Sequence, residues 1–389
     1  MLRVGVIGVG NIGRTHLKAY QELAGECTIV GLCDIYPAHA EEKKAELGLD
    51  VPVFAEYTDL LASVRPDLVS VCTPPNTHAS ITIGCLGTGV NVVVEKPMAP
   101  SLEECDAMLA AQRASGALLS VVHQNRFRAD MALLKTAVDS GLVGRITHMQ
   151  VNSSWWRGRP YYDLWWRGTW ASEGGGCTLN HAVHHVDLAL WLAGRPSSVT
   201  AVLANAAHDN SEVEDLSIAV LELDRGLVAI TASVVDHGEE QSIVIHGEHA
   251  RVSQPWKVVA EATQPNGFPL PGGNPEVVTQ LEALAAAQVP PAREGHLGLL
   301  ADVVAAVRDH RAPAVTGEDG RAAIELITAI YESGTEHARV ELPLTPDDPY
   351  YQAGRLPGLA HHFFAKEKAI EDLGGFILVE GSPDPAQRP

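Results

Sequence analysis

Several groups of residues in this chain have types and spacings that could do chemistry. Gly8-Val9-Gly10-Asn11-Ile12-Gly13 is a G-x-G-x-x-G run that follows an apolar segment and opens a helical one. In that setting Gly8 permits a tight turn, Gly10 lets backbone approach a pyrophosphate, and Gly13 lets helix and strand pack closely. Asn11 and Ile12 lie in the first turn of the helix, whose free N–H groups and partial positive charge favour an anion. Asp34 stands 21 residues after Gly13, at the end of a second apolar run. A carboxylate there accepts hydrogen bonds from ribose hydroxyls and repels a 2′-phosphate. Ile35 and Tyr36 supply no compensating cation, so NAD rather than NADP is the expected cofactor. A glycine turn without cofactor is the competing reading, and Asp34 at this spacing weighs against it.

Two further apolar runs end in polar residues: Thr73-Pro74 with Asn76 and His78, and Glu95-Lys96-Pro97. Ligands of open α/β sheets sit beyond the carboxyl ends of the strands, so these side chains are expected near cofactor and substrate. Most lysines are solvated surface charges, but Lys96 lies directly after a strand and before a rigid proline. Asn125 and Arg126 end another such run; a surface salt bridge is the competing reading for Arg126. His181, His184 and His185 have i, i+3, i+4 spacing, which puts them on one helical face beside Asp187. Imidazole and carboxylate suit zinc or iron, yet no H-E-x-x-H pattern or second ligand set is present, and no metal is expected. Residues 155–170 hold five of the seven tryptophans, with Arg157 and Arg167 among them. Aromatic faces stack on sugar C–H groups and arginines clamp hydroxyls, although aromatics also fill cores. Trp165, Trp166 and Arg167 precede a glycine triplet and the histidine segment, which favours contact with substrate or nicotinamide.

The elements that must position these groups follow from the patterning. Apolar, β-branched runs at 2–9, 28–33, 68–72, 90–94 and 117–122 alternate with helical patterns at 11–23, 38–47, 77–86 and 101–115. Ser101 and Glu104 have capping-box spacing, and Gly116 stands just past that last helix. Continuous apolar strands separated by helices predict an α/β, doubly wound Rossmann domain over 1–123. After residue 123 the pattern predicts a helix at 131–140, a strand at 145–153 and a helix at 181–193. Close-spaced strands follow at 199–205, 216–223, 227–235 and 241–246. Strands without helices between them imply an antiparallel sheet, hence an α+β second domain over 124–345. Helices near 296–310 and 320–335 could pack on either domain, and 346–389 is an extension with no assigned place.

Composition limits the partners. Lys plus Arg total 28 against 48 Asp plus Glu, a formal net charge of −20. Such a field disfavours nucleic acid and anionic membranes. No apolar run reaches the roughly 20 residues needed to span a bilayer. Six cysteines without a C-x-x-C pair, mostly in apolar patterns, read as buried thiols in a reducing compartment. With no leader pattern at the N-terminus, a cytoplasmic location is expected.

Taken together, the glycine loop, Thr73-Pro74 with Asn76 and His78, Glu95-Lys96-Pro97, Asn125-Arg126-Phe127 and the run from Gly174-Gly175-Gly176 through Asn180, His184 and Asp187 resemble the glucose–fructose oxidoreductase, inositol dehydrogenase and rhizopine catabolism (Gfo/Idh/MocA) family. The match in order and spacing extends from residue 2 to about 200. The resemblance implies a Rossmann domain followed by an α/β domain with a large open sheet, through which the chain would form a homodimer or homotetramer. It also implies NAD as cofactor and a sugar, inositol or related polyol as substrate. By position it assigns Lys96 and His184 to either side of the reacting carbon. Histidine suits the general base, and an ammonium suits the developing alkoxide. Beside these two, Arg126, Trp165, Arg167, Asn180 and His181 are expected to contact the substrate. Many family members carry aspartate where this chain has Asn180, which cannot lend negative charge to an imidazolium. A redox-neutral enzyme that oxidises a glycoside transiently, or a non-catalytic NAD-binding regulator, are the alternatives on the same fold.

Overall fold

The computed structural model describes residues 1–370. Strands β1 (Leu2–Ile7), β2 (Cys27–Cys33), β3 (Val53–Phe54), β4 (Leu68–Val71), β5 (Asn91–Val94) and β6 (Leu119–Val121) alternate with helices α1 (Asn11–Glu22), α2 (Pro37–Glu46), α3 (Tyr57–Val64), α4 (Pro75–Gly87) and α5 (Leu102–Ser115). The six strands form one parallel sheet in the order β3-β2-β1-β4-β5-β6, so the strand order reverses between β1 and β4. Val4, Val6, Leu68, Val69, Val71 and Val92 to Val94 are all buried, because helices cover both faces of the sheet. Helix α5 starts where Ser101 accepts the Glu104 amide and stops at Gly116, held at φ 71°. The pattern did not predict β3 or α3. The first is two half-buried residues at the sheet edge, and the second buries only Leu60 and Leu61.

The rest of the chain forms α6 (Ala129–Asp139), β7 (Ile146–Ser154), α7 (Trp170–Glu173), α8 (Cys177–Asn180), α9 (Val183–Ala193), β8 (Ser198–Ala204), β9 (Leu216–Leu223), β10 (Gly226–Ser233), β11 (Ser242–Gly247), β12 (Arg251–Gln254), β13 (Lys257–Val259), α10 (Pro275–Ala287), α11 (Gly295–Arg308), α12 (Gly317–Glu336), β14 (Val340–Glu341) and α13 (Leu356–Leu359). Its sheet has eight strands in the order β13-β12-β11-β7-β10-β9-β8-β14. All neighbours are antiparallel except β7 and β10, which run parallel. Alternation along β9 buries Ser217, Ala219 and Leu221 under the helices and leaves Ile218 and Val220 on the open face.

The two late helices have different homes. Leu299, Leu300, Val303 and Val304 of α11 join Val4, Leu17 and Tyr20 in the core beneath α1, so α11 completes the first domain despite its late position. Helix α12, opened by a capping box between Thr316 and Asp319, packs on α5 and β6 on one side and on α9 and β8 on the other. Packing therefore does not divide at a single point near residue 124, because the chain returns to its first domain. All six cysteines are free and buried. No helix among the described residues is long and apolar enough to cross a membrane. Of the extension after residue 345, residues 371–389 lie outside the described residues.

Candidate active site

The glycine loop is built as its residue types require. A Cβ on Gly8, where φ is +85°, would stand 2.7 Å from the Cys72 carbonyl, and one on Gly13 would stand 2.1 Å from the Gly8 oxygen. Around Gly10, by contrast, nothing lies within 4 Å of an added Cβ. Asn11 and Gly10 are exposed, and α1 has no side-chain cap, so its first-turn donors are left for a ligand. Asp34 accepts the Val9 amide at 3.0 Å and the Tyr36 amide at 2.9 Å, which ties the loop to the end of β2. A carboxylate has further lone pairs for ribose hydroxyls. This open cradle with a carboxylate at its far end fits a dinucleotide.

The next two strand ends divide into groups that face the site and groups that hold it. Thr73, Asn76 and Lys96 remain partly or fully accessible, as does Pro74. His78 does not: it is buried, with Nδ1 2.9 Å from the Pro97 carbonyl and Nε2 2.7 Å from the Thr73 carbonyl. The expected cofactor contact is thus replaced by a clamp joining the loops after β4 and β5, since both ring nitrogens are taken. Glu95 is corrected in the same way. Its Oε1 lies 2.9 Å from His16 Nε2 and 3.6 Å from His296 Nε2, and its Oε2 accepts the Lys96 amide at 3.1 Å. Burial opposes its charge, but the hydrogen bonds from His16 and His296 hold the Glu95 carboxyl well below the ordinary range. His16, Glu95 and His296 offer three possible metal-ligand atoms within 4.8 Å of one another. A hydrogen-bond chain already uses them. Tyr20 and Ser70 bond at 2.7 Å, Ser70 bonds His16 Nδ1 at 3.0 Å, and the His16 Nε2–H then donates to Glu95.

Arg126 is also corrected. It is buried and forms a two-pronged pair with Asp187 at 2.9 and 2.6 Å, with a further bond to Asp319 at 3.1 Å. It ties the 3-10 turn after β6 to α9 and α12, because the buried Asp187 carboxylate requires a cation and the partly exposed Asp319 shares it. Asn125 in the same turn stays half-buried. His123, not singled out by the sequence, ends β6 fully buried. Its ring stands 6.4 Å from His184 at 89°, its Nε2 lies 3.8 Å from Asp187, and burial lowers its pKa. The signal that marked Lys96, a polar residue at the end of an apolar parallel strand, applies equally to His123.

The predicted helix over 181–193 is two helices. His181 and Ala182 lie in the turn between α8 and α9, so His181 stands outside the helix that carries His184 and His185. Glu214 anchors the turn that opens α8. Its carboxylate accepts the Gly176 amide at 3.1 Å, the Thr178 amide at 3.0 Å and the Tyr331 hydroxyl at 3.1 Å, while a Cβ on Gly176 would stand 1.9 Å from the Glu214 carbonyl oxygen. Burial pushes the Glu214 carboxyl up to about 7. Nothing in the sequence distinguishes this glutamate from a solvated one. Asn180 donates its amide to the Gly175 and Gly176 carbonyls at 2.7 and 3.2 Å. Aspartate would set a carboxylate oxygen against both, so the amide suits this turn.

His184 and His181 are half-buried at the interface, while His185 is fully buried behind them. Burial, reinforced by the charge of Lys96, holds His184 well below the usual histidine range. His181 is depressed in the same way, with Arg157, Arg167 and Lys96 adding to burial. Lys96 from the first domain therefore lies within electrostatic reach of both histidines from the second. The aromatic segment forms the adjoining wall. The Arg167 guanidinium lies 4.4 Å from the Tyr161 ring centre and 3.9 Å from that of Trp166, and its Nη1 pairs with buried Glu173 at 2.5 Å. Tyr161 in turn approaches His181 with its hydroxyl at 3.4 Å. Trp165 is 57% exposed and lies on the outer side of this wall rather than in it.

Comparison with known proteins gives this arrangement a setting. Residues 2–123 match the family model described as "Oxidoreductase family, NAD-binding Rossmann fold", and residues 131–253 match the "GFO/IDH/MocA C-terminal domain". The chain is 26% identical to an inositol 2-dehydrogenase of Rhizobium meliloti over 88% of its own length and 99% of the relative's. It is 27% identical to a scyllo-inositol 2-dehydrogenase (NADP(+)) of Bacillus subtilis, over 88% and 96%. The WlbA dehydrogenase of Bordetella pertussis, solved with NADH and UDP-GlcNAcA, superposes with a TM-score of 0.74 at 31% identity, over 88% of this chain and 99% of that one. A glycine cradle, a strand-end lysine and an interface histidine in this order, on this fold and with these relatives, make the chain a member of the Gfo/Idh/MocA family of oxidoreductases.

Proposed function

We propose that the protein is an NAD-dependent dehydrogenase that oxidises a hydroxyl-bearing carbon of a sugar, inositol or related polyol at the interface of its two domains. The observation that carries this reading is the placing of a half-buried, neutral His184 within the field of Lys96, each delivered by a different domain. Oxidising a secondary alcohol needs a base for the hydroxyl proton and a cation for the developing alkoxide. A histidine kept neutral by burial is ready to accept a proton near pH 7. The Lys96 ammonium stabilises the oxygen and holds the substrate in line. Asn180, through Oδ1, and the Tyr161–Arg167 wall orient the remaining hydroxyls. Bound nicotinamide supplies the hydride acceptor. Asp34, with no cation following it, favours the 2′-hydroxyl of NAD over a 2′-phosphate. Relatives that act on inositols, and one solved with a nucleotide-linked sugar, support the substrate class. The outer sheet face, where Val202, Ile218, Val220 and Leu227 are 40–64% exposed, supports association of two or four copies through that sheet.

The test is incubation with NAD and a panel of inositols, hexoses, pentoses and sugar nucleotides, following reduced nicotinamide by absorbance. Turnover of one class is expected, falling roughly 10²–10⁴-fold in Lys96→Ala and His184→Ala. Tight NAD binding with substrate consumed and no net NADH would replace this reading by the redox-neutral one.

A further inference from the structure

The segment after α13 does work that the domain pattern does not call for. Residues 361–370 run along the outside of the aromatic wall and are stitched to it. The Phe363 and Phe364 amides donate to Glu212 and Ser211 carbonyls, and the Trp170 indole donates to the His361 carbonyl at 3.1 Å. Asn210 Oδ1 accepts the Glu367 and Lys368 amides, both at 2.9 Å, and its amide returns to the Lys368 carbonyl. Ile370 exchanges backbone hydrogen bonds at 2.9 Å with Asp163 and Trp165. At the centre lies Lys366. Its ammonium donates to the carbonyls of Leu164 and Arg167, each at 2.9 Å, and also to that of Tyr162. An ammonium has three donors, and all three go to one turn of backbone. Burial depresses its pKa, with Asp163, Glu173 and Glu212 opposing, so the group is a desolvated cation held in place by carbonyl dipoles.

The turn it holds, 162–167, is flanked by the two residues that form the wall. Tyr161 enters it and Arg167 leaves it, and their stack meets His181 beside Lys96. We infer that residues 361–370 are a strap that presets the sugar-facing wall, and that Lys366 is its positioning residue. This rests on the functional reading above for what the wall faces. A wall held by the strap is ordered before substrate binds, so its ordering does not count against binding.

Lys366→Met in the full chain keeps the apolar stem and removes the three donors. The first readout is hydrogen exchange of the protein alone, with no sugar added. Amides of 161–170 should exchange at least tenfold faster, while those of the Rossmann strands stay unchanged. The second readout is steady-state kinetics, in which KM for the sugar should rise about tenfold with kcat and the KM for NAD within twofold. Asn210→Ala, which unstitches the strap from the other side, should give the same pattern. Unchanged exchange at 161–170 in both variants, or protection lost uniformly over the whole protein, overturns the inference. An absence of sugar turnover in the unmodified protein instead sinks the functional reading, and the exchange readout still decides the strap.

Discussion

Two glycine-rich turns sit on either side of the candidate site, and they use the same residue type for opposite ends. In Gly8–Gly13 the middle glycine faces open space, and α1, which follows it, starts without a side-chain cap. In Gly174–Gly176 the last two glycines are closed in: an added Cβ on Gly175 would stand 2.3 Å from the Tyr331 hydroxyl, and one on Gly176 would meet Glu214. The first turn is a cradle left for a ligand. The second is a pivot that aims α9, with its hydrogen bonds met inside the protein by Glu214 and Asn180. A glycine run therefore reports close approach without saying whether a ligand or the protein itself is what approaches.

The largest expected effect comes from breaking the closed side. Asp187→Asn leaves Arg126 buried against half a partner, and loss of one member of such a pair costs about 3–5 kcal/mol. Chemical denaturation should show that loss, with α9 the first element to lose exchange protection. Gly176→Ala drives a methyl into backbone and should cost about 3 kcal/mol by the same measurement. His185 gives a pH-dependent contrast. Burial holds its pKa near 4, so below the ordinary value of 6.5 the unfolded chain gains a proton that the folded one refuses. Stability is then lost as pH falls, and between pH 6.5 and 5 this one group accounts for about 2 kcal/mol. In His185→Gln the drop in unfolding free energy over that interval should shrink by this amount. On the open side, Gly10→Ala should leave the melting temperature unchanged and weaken NAD binding roughly tenfold, read by calorimetry, because the methyl enters space meant for the pyrophosphate. A melting temperature that falls with Gly10→Ala, or stays fixed with Gly176→Ala, would erase the distinction between the two turns.

Much of this was legible from residue types. Alternating apolar runs and helical patterns predicted the parallel sheet and its order of elements, and the glycine loop with Asp34 marked the cradle. Lys96 and His184 were reached through motif and resemblance. What the residues could not reveal was which polar groups turn inward. His78, Glu95 and Arg126 carry the same strand-end signal as Lys96, yet each is committed to the scaffold. Glu214 and Lys366, which fix the pivot and the wall, lie in segments with no periodic or motif signal.

The division has a physical cause. Local sequence determined backbone conformation: hydrophobic period chose strand or helix, glycine permitted the tight turns, and Ser101 and Thr316 set helix starts through neighbours three residues away. These terms act over a few residues and are readable along the chain. Only the tertiary structure decided where charge and hydrogen-bond donors end up, since those partners lie far apart in sequence. Arg126 finds Asp187 and Asp319, Lys366 finds Tyr162 and Arg167, and α11 returns to the first domain to cover α1. Buried polar groups must be paired wherever the fold places them, and that requirement is satisfied in space rather than in order along the chain.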